Sequence, residues 1–305
     1  MRLLITGVSG LLGLNLSLVA SKRGDEVVGL VHSKPLQDVP FSIQQVDLLD
    51  TQNALAVIAE ERPQAIINCA AVADLNLAER NPDLTYRLNS EIPGVLAESA
   101  ADWEIPFVHI STDAVFDGSK GNYREEDLPN PLSTYAKSKL LGEKSVAQAN
   151  QDALIARVVF FGWSLSGKRS LSEFFFSNLQ AENTIQGFID TFFCPLYVED
   201  LAEILLEMVD LDLAGVYHVV SPVGLSKYDF GVRIAKKFGF DPALIKPVRM
   251  AQLKRDAPRS LNLTLNAEKT QNALGYRLSS VDEGIDRFYQ RWVEAYPQKI
   301  QNFLI

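Results

Sequence analysis

The sequence predicts an α/β fold, a doubly wound parallel sheet followed by a smaller C-terminal α/β lobe, and three observations carry that expectation. Through the first half, short β-type runs alternate with helix-length amphipathic stretches. Most of those runs are apolar at consecutive positions, as when both faces of a sheet are buried. The first run passes directly into a glycine-rich turn and then a helical pattern.

In chain order the predicted strands are 3–6, 26–32, 43–46, 65–69, 107–111 and 154–159, with helices near 11–23, 51–61, 84–102 and 134–149. After about residue 160 the alternation fades, and 162–168 and 221–224 read as loops. Helices are predicted at 170–181, 199–209, 226–238, 267–274 and 281–294, and short strands at 216–220 and 247–249. Residues 1–160 are therefore expected to form the main part of a dinucleotide-binding domain of Rossmann type. Residues 161–305 are expected to form mostly a substrate-binding lobe, with some segments returning to the first domain.

The 305 residues suffice for one large α/β domain with an appended lobe, or about two folding units. With 47% hydrophobic and 22% charged residues the chain lies outside the disordered and low-complexity classes. Its net charge of -9 has the wrong sign for nucleic acid or anionic lipid, so neither is expected as a partner. The only cysteines, Cys69 and Cys194, stand in no metal-ligand spacing, so neither a disulfide framework nor a metal site is implied. The opening apolar stretch breaks at Gly7 before it reaches signal-peptide length, and no run of eighteen apolar residues follows. The expected location is a reducing cytoplasm.

Gly7-Val8-Ser9-Gly10-Leu11-Leu12-Gly13 is a G-x-x-G-x-x-G turn. Its glycines permit a tight turn, close approach of backbone to a pyrophosphate, and close helix-to-strand packing. The helix start then offers unpaired N–H groups to phosphate. Gly7, Gly10, Leu11 and Leu12 are the candidate cofactor contacts here. The residues that choose between cofactors should follow the second strand, where the chain reads His32-Ser33-Lys34 and lacks a carboxylate for a ribose hydroxyl. His32 and Ser33 suit a 2'-phosphate, which favours NADP(H) and leaves NAD(H) as the alternative; Lys34 is equally readable as a solvated loop lysine.

Tyr135 and Lys139 stand four residues apart, hence on one helix face. A nearby ammonium favours the phenolate of a tyrosine, so the pair suits acid–base work. At the end of the fifth strand stands Ser111-Thr112-Asp113, where ligands of open α/β sheets bind. Thr112 and Asp113 read either as substrate contacts or as a capping cluster. The three histidines, His32, His109 and His218, and Cys69 read as strand or packing residues.

With these residues the chain resembles the extended short-chain dehydrogenase/reductases, and within them the dTDP-4-dehydrorhamnose reductase group of sugar-nucleotide reductases. The resemblance runs nearly end to end, through the glycine turn, 68–71, Leu88-Asn89, 111–118, Tyr135/Lys139, 195–202, 215–219 and 257–262. It implies reduction of a C4 keto group on a nucleotide-linked sugar, with Tyr135 as proton donor, Lys139 tuning it and holding the nicotinamide ribose, Tyr135 and Lys139 both touching the cofactor, and Thr112 orienting the carbonyl. It further implies that Asp47 and Leu48 lie near the adenine, that Ala70 and Ala71 line the cofactor groove, and that Arg259 contacts the nucleotide of the substrate. Ala114, Phe160, Ser260 and Leu263 depart from the group's usual residues on the substrate side, Phe160 standing where a tryptophan lies near the sugar. Such exchanges shift substrate preference more readily than reaction type. The chain also resembles the regulatory β-subunit of methionine adenosyltransferase, which implies a non-catalytic NADP-binding alternative; an epimerase or dehydratase on the same scaffold is a third. The oligomeric state is left open, with a homodimer among its outcomes.

Overall fold

The computed structural model describes residues 1–33, 36–250 and 260–304. Strand β1 (Arg2–Thr6) enters the glycine turn and α1 (Leu11–Arg23), which stops where Gly24 turns left-handed. Then follow β2 (Glu26–Val31), β3 (Ser42–Gln45), α2 (Thr51–Glu61), β4 (Ala65–Asn68), and the short helices α3 (Leu75–Arg80) and α4 (Pro82–Tyr86). A π turn over Arg87–Glu91 leads into α5 (Ile92–Asp102), β5 (Phe107–Thr112), α6 (Thr134–Ala149) and β6 (Leu154–Val158). The second half contains β7 (Phe160–Phe161), α7 (Leu171–Gln180), β8 (Ile185–Phe188), β9 (Phe192–Phe193), β10 (Leu196–Tyr197) and α8 (Val198–Asp210). It ends with β11 (Gly215–Val219), β12 (Leu225–Ser226), α9 (Lys227–Phe238), β13 (Ile245–Val248), α10 (Glu268–Leu274), α11 (Val281–Val293) and α12 (Tyr296–Gln301).

Seven strands form one sheet in the order β11-β6-β5-β4-β1-β2-β3, each neighbouring pair parallel. Alternate residues of β1 serve two cores. Leu3 and Ile5 pack with α1 and α8, whereas Leu4 packs beneath α2 and α5. Each such fully buried side chain contributes roughly 1.5–3 kcal/mol. The strand order reverses between β1 and β4, which opens a crevice at the carboxyl ends of the strands. The seventh strand, β11, comes from the second half of the chain and pairs with β6.

Two rows of polar residues cross this sheet in register. Thr6, Asn68 and His109 are neighbours on β1, β4 and β5. Ser111, Arg157 and His218 are neighbours on β5, β6 and β11. Both rows are buried.

The helix expected over 84–102 occurs as one continuous helical run from Pro82 to Asp102, with a π turn in its middle. The wider π turn sets Asn89 so that its side chain accepts from the Val72 N–H at 2.8 Å and donates to the Val72 carbonyl at 3.0 Å, clamping the chain after β4. The second half also contains the short strands β7 to β10 and β12, too brief to show a period. Loops over 162–168 and 221–224 occur as expected. Among the described residues no helix is long and apolar enough to cross a membrane.

Candidate active site

The crevice has two connected ends. A cavity of about 310 Å³ is lined by Gly7, Gly10, His32, Asp47, Leu48, Ala70 and Ala71, with Leu30 and Val31 of β2 and Val46 just after β3. At Gly7 the backbone is left-handed (φ 69°), and an added Cβ would stand 2.9 Å from the Ala70 backbone. A Cβ at Gly13 would meet the Gly7 carbonyl oxygen at 2.4 Å, so α1 rests directly on its own turn. Gly10 is the N-cap of α1 and no side chain caps that end. This cradle fits the pyrophosphate of a dinucleotide, as the glycine spacing implied.

His32 and Asp47 approach to 3.9 Å at the far end of this cavity. Asp47, two residues beyond β3, thus places a carboxylate beside the end of β2. Ser33 is exposed beside His32, outside the lining. Lys34 lies outside the described residues, as does Arg259.

A second cavity, of about 520 Å³, adjoins the first and shares Gly10, Cys69, Ala71 and Arg169 with it. Leu11, Leu12, Thr112, Asp113, Tyr135, Lys139 and Phe160 line it. The structure therefore brings the candidate catalytic residues together on one wall. Tyr135 lies in the first turn of α6, whose N-cap Ser133 accepts from the Ala136 N–H at 3.2 Å. Thr112 both caps and lines: its hydroxyl accepts from the Ala114 N–H at 3.2 Å and donates to Asp113 Oδ1 at 3.0 Å.

Burial dominates the electrostatics. It pushes the Tyr135 phenol up to about 12, against the Thr112 hydroxyl, which is hydrogen-bonded to it and lowers it. The expected downward pull of Lys139 on the phenol is not what governs it here. Lys139 itself is drawn down to about 8 by burial, with Glu143 and Cys69 opposing. Asp113 is pushed up to about 6 by burial, against the Thr112 hydrogen bond and the Lys227 ammonium. The Cys69 thiol, pushed up to about 12, is inert, in keeping with a packing role.

Behind Lys139 lies a buried ion pair. Arg157 binds Glu143 through two hydrogen bonds, at 2.9 and 2.7 Å, and Ser111 donates to the same carboxylate at 2.5 Å. The guanidinium also lies over the Phe116 ring, 5.1 Å from its centroid. His109 is buried, as expected of a strand histidine, but its Nε2 stands 3.1 Å from Lys139 Nζ.

Three cations escaped the sequence reading. Lys168 and Arg169 lie on the loop before α7, and Arg169 borders both cavities. That loop is fixed by the buried Glu173, which accepts from the N–H groups of Ser164, Arg169 and Ser170 at 2.6, 2.8 and 3.0 Å. Lys227, the first residue of α9, acts on Asp113 from the other half of the chain. No local motif marks these residues, because distant segments bring them in. Among the described residues no group of three or more His, Cys, Asp or Glu is placed to hold a metal ion.

The model of the family described as RmlD substrate binding domain matches residues 1–293. The chain is 36% identical over 286 residues to the probable low-salt glycan biosynthesis reductase Agl14 of Haloferax volcanii, covering 92% of this chain and 95% of that one. It is 31% identical to methionine adenosyltransferase 2 subunit beta of Bos taurus, over 81% of this chain and 75% of that one. A crystal structure of a hypothetical dTDP-4-dehydrorhamnose reductase from Sulfolobus tokodaii superposes with a TM-score of 0.81 at 32% identity, covering 93% of this chain and 99% of that one. Fold and site together define an oxidoreductase of the extended short-chain dehydrogenase/reductase class. Within that class the chain belongs to the RmlD substrate-binding domain family.

Proposed function

We propose that this reductase uses NADP(H) to reduce the C4 keto group of a nucleotide-linked sugar, with residues 1–160 holding the dinucleotide and the later residues the sugar side. The observation that carries this reading is the convergence of Thr112, Tyr135 and Lys139 on one cavity that opens into the dinucleotide groove. His32 and Ser33 favour the phosphorylated cofactor; Asp47 beside His32 keeps NAD(H) in competition. Phe160 borders the sugar, and Arg259 and Lys227 supply positive charge for the substrate's nucleotide.

Bound nicotinamide supplies a hydride to C4. The Thr112 hydroxyl, fixed by its own turn, orients the C4 oxygen. Tyr135 retains its proton at neutral pH, because burial holds the phenol near 12, and gives it to that oxygen as negative charge develops. Lys139, near 8, returns a proton to the phenolate and is itself reprotonated from solvent.

Oxidation of NADPH, followed by absorbance with dTDP-4-dehydrorhamnose, should fall about 10²–10⁴-fold in Tyr135→Phe while cofactor binding stays largely unchanged. Equal turnover in the variant sinks Tyr135 as the acid. The same assay with NADH reads the cofactor preference. The bovine relative supports a second reading, a regulatory subunit. Co-purification with a stoichiometric enzyme partner, and no turnover, would select it.

A further inference from the structure

His109 is wholly buried on β5 and bonded at both ring nitrogens. Its Nε2 is 3.1 Å from Lys139 Nζ, and its Nδ1 is 3.2 Å from the side-chain amide of Asn68. The other end of that amide meets the Thr6 hydroxyl at 2.6 Å, and the same hydroxyl accepts from the Ala70 N–H at 3.0 Å. This is the first polar row of the sheet, and it joins the proposed catalytic lysine to a wall of the cofactor groove.

Counting donors decides how the row is wired. A neutral imidazole has one N–H and one bare nitrogen, whereas an ammonium has three donors and no acceptor. If the Asn68 amide nitrogen faces Nδ1, the ring proton lies on Nε2 and points at an ammonium that cannot accept it. Exchanging the nitrogen and oxygen of Asn68, which are nearly the same in shape, removes the conflict. The Asn68 amide nitrogen then donates to Thr6 Oγ1, whose two lone pairs serve it and the Ala70 N–H, and the Thr6 hydroxyl proton gives up Asn68 as its acceptor, a smaller cost than an N–H aimed at an ammonium.

We propose that His109 is a positioning residue for Lys139: a neutral ring in the Nδ1–H tautomer that accepts an ammonium proton at Nε2 and donates from Nδ1 to the side-chain oxygen of Asn68. This rests on Lys139 acting as the proposed function has it. Burial and the Lys139 charge hold the imidazole well below the usual histidine range, which keeps it a neutral acceptor. The other groups toward Lys139 are Tyr135 and Glu143 on its own helix and Cys69 after β4; Arg157 lies behind Glu143, and Asp113 beside Tyr135. Cys69 is a protonated thiol and Glu143 is committed to Arg157 and Ser111, so His109 is the acceptor that sets where the amine points.

The ring state can be read without substrate. The chain has three histidines, so ¹⁵N-histidine spectra of the unmodified protein are simple, and His109→Gln identifies the His109 signals by their loss. The expected result is a neutral Nδ1–H ring from pH 6 to pH 8. An Nε2–H ring, or a protonated one, overturns the proposal whatever the activity proves to be. In the reductase assay, His109→Leu should lower kcat by about tenfold or more, the scale of a lost hydrogen bond to a charged group. It should also move the alkaline limb of the kcat profile to lower pH, because the buried ammonium loses its acceptor. His109→Gln, which retains a side-chain oxygen, should restore most of both. A limb that stays in place in His109→Leu overturns the positioning role, since damage to packing alone lowers kcat without moving it.

Discussion

At Asp113, fold stability and the proposed contact with substrate pull in opposite directions. The carboxyl is buried beside Thr112, and its folded value of about 6 lies above the unsettled 3.8 of an exposed aspartate. The folded state therefore holds this proton more tightly than the unfolded chain. The cost of the buried charge is absent below about pH 4, grows as pH rises to about 6, and stays constant above, where it is worth about 3 kcal/mol. Asp113→Asn keeps the shape and an acceptor for the Thr112 hydroxyl. It should raise the melting temperature at pH 7.5, with the gain shrinking between pH 6 and pH 4, and raise KM for the sugar nucleotide. A gain that is independent of pH would assign the effect to something other than this carboxylate. The same neighbourhood shows what single residues disclose. Tyr135 and Lys139 were legible because helix spacing alone places them together. Lys227 and Arg169 were not, because α9 and the loop before α7 reach the site only through tertiary packing.

At the scale of an element, α6 carries a third partner one turn beyond that pair. Tyr135, Lys139 and Glu143 recur every four residues along the helix, and Lys139 and Glu143 are buried against β5 and β6. Glu143 pairs with an equally buried Arg157, so removing one charge strands the other. Glu143→Gln should destabilise the fold by about 3–5 kcal/mol in urea unfolding. A loss below 1 kcal/mol would mean that the Phe116 ring and His218 satisfy the guanidinium unaided. Its neighbour Gly142 admits the carbonyl of Asn89, which a Cβ there would meet at 2.1 Å. That contact accounts for the π turn within the predicted helix: α6 packs against it, which a periodicity over 84–102 cannot include.

Across the whole molecule, the strands of the first half are legible because strands buried on both faces have continuous apolar sequences, as in β1 and β4, whereas the six-residue α3 is too short to show a period. The second half was harder. Five of its helices are legible in the sequence, α12 is not, and β7, β9, β10 and β12 are two-residue ladders defined by their partners rather than by a pattern. Asp47 and His32 illustrate the same limit at the groove, where two strand ends meet that no spacing rule joins. The loop that carries Lys168 and Arg169 is held by Glu173 through bonds made wholly within the chain. Its ordering entropy is therefore charged to folding, and association with a dinucleotide is spared it. By isothermal calorimetry, NADPH should bind the unmodified protein with a smaller entropic penalty than it binds Glu173→Gln, in which the loop loses part of its anchor. Equal penalties would show that the loop owes its rigidity to other contacts. On this account the anchored loop contributes preorganisation, with its backbone donors spent on Glu173 rather than on the ligand.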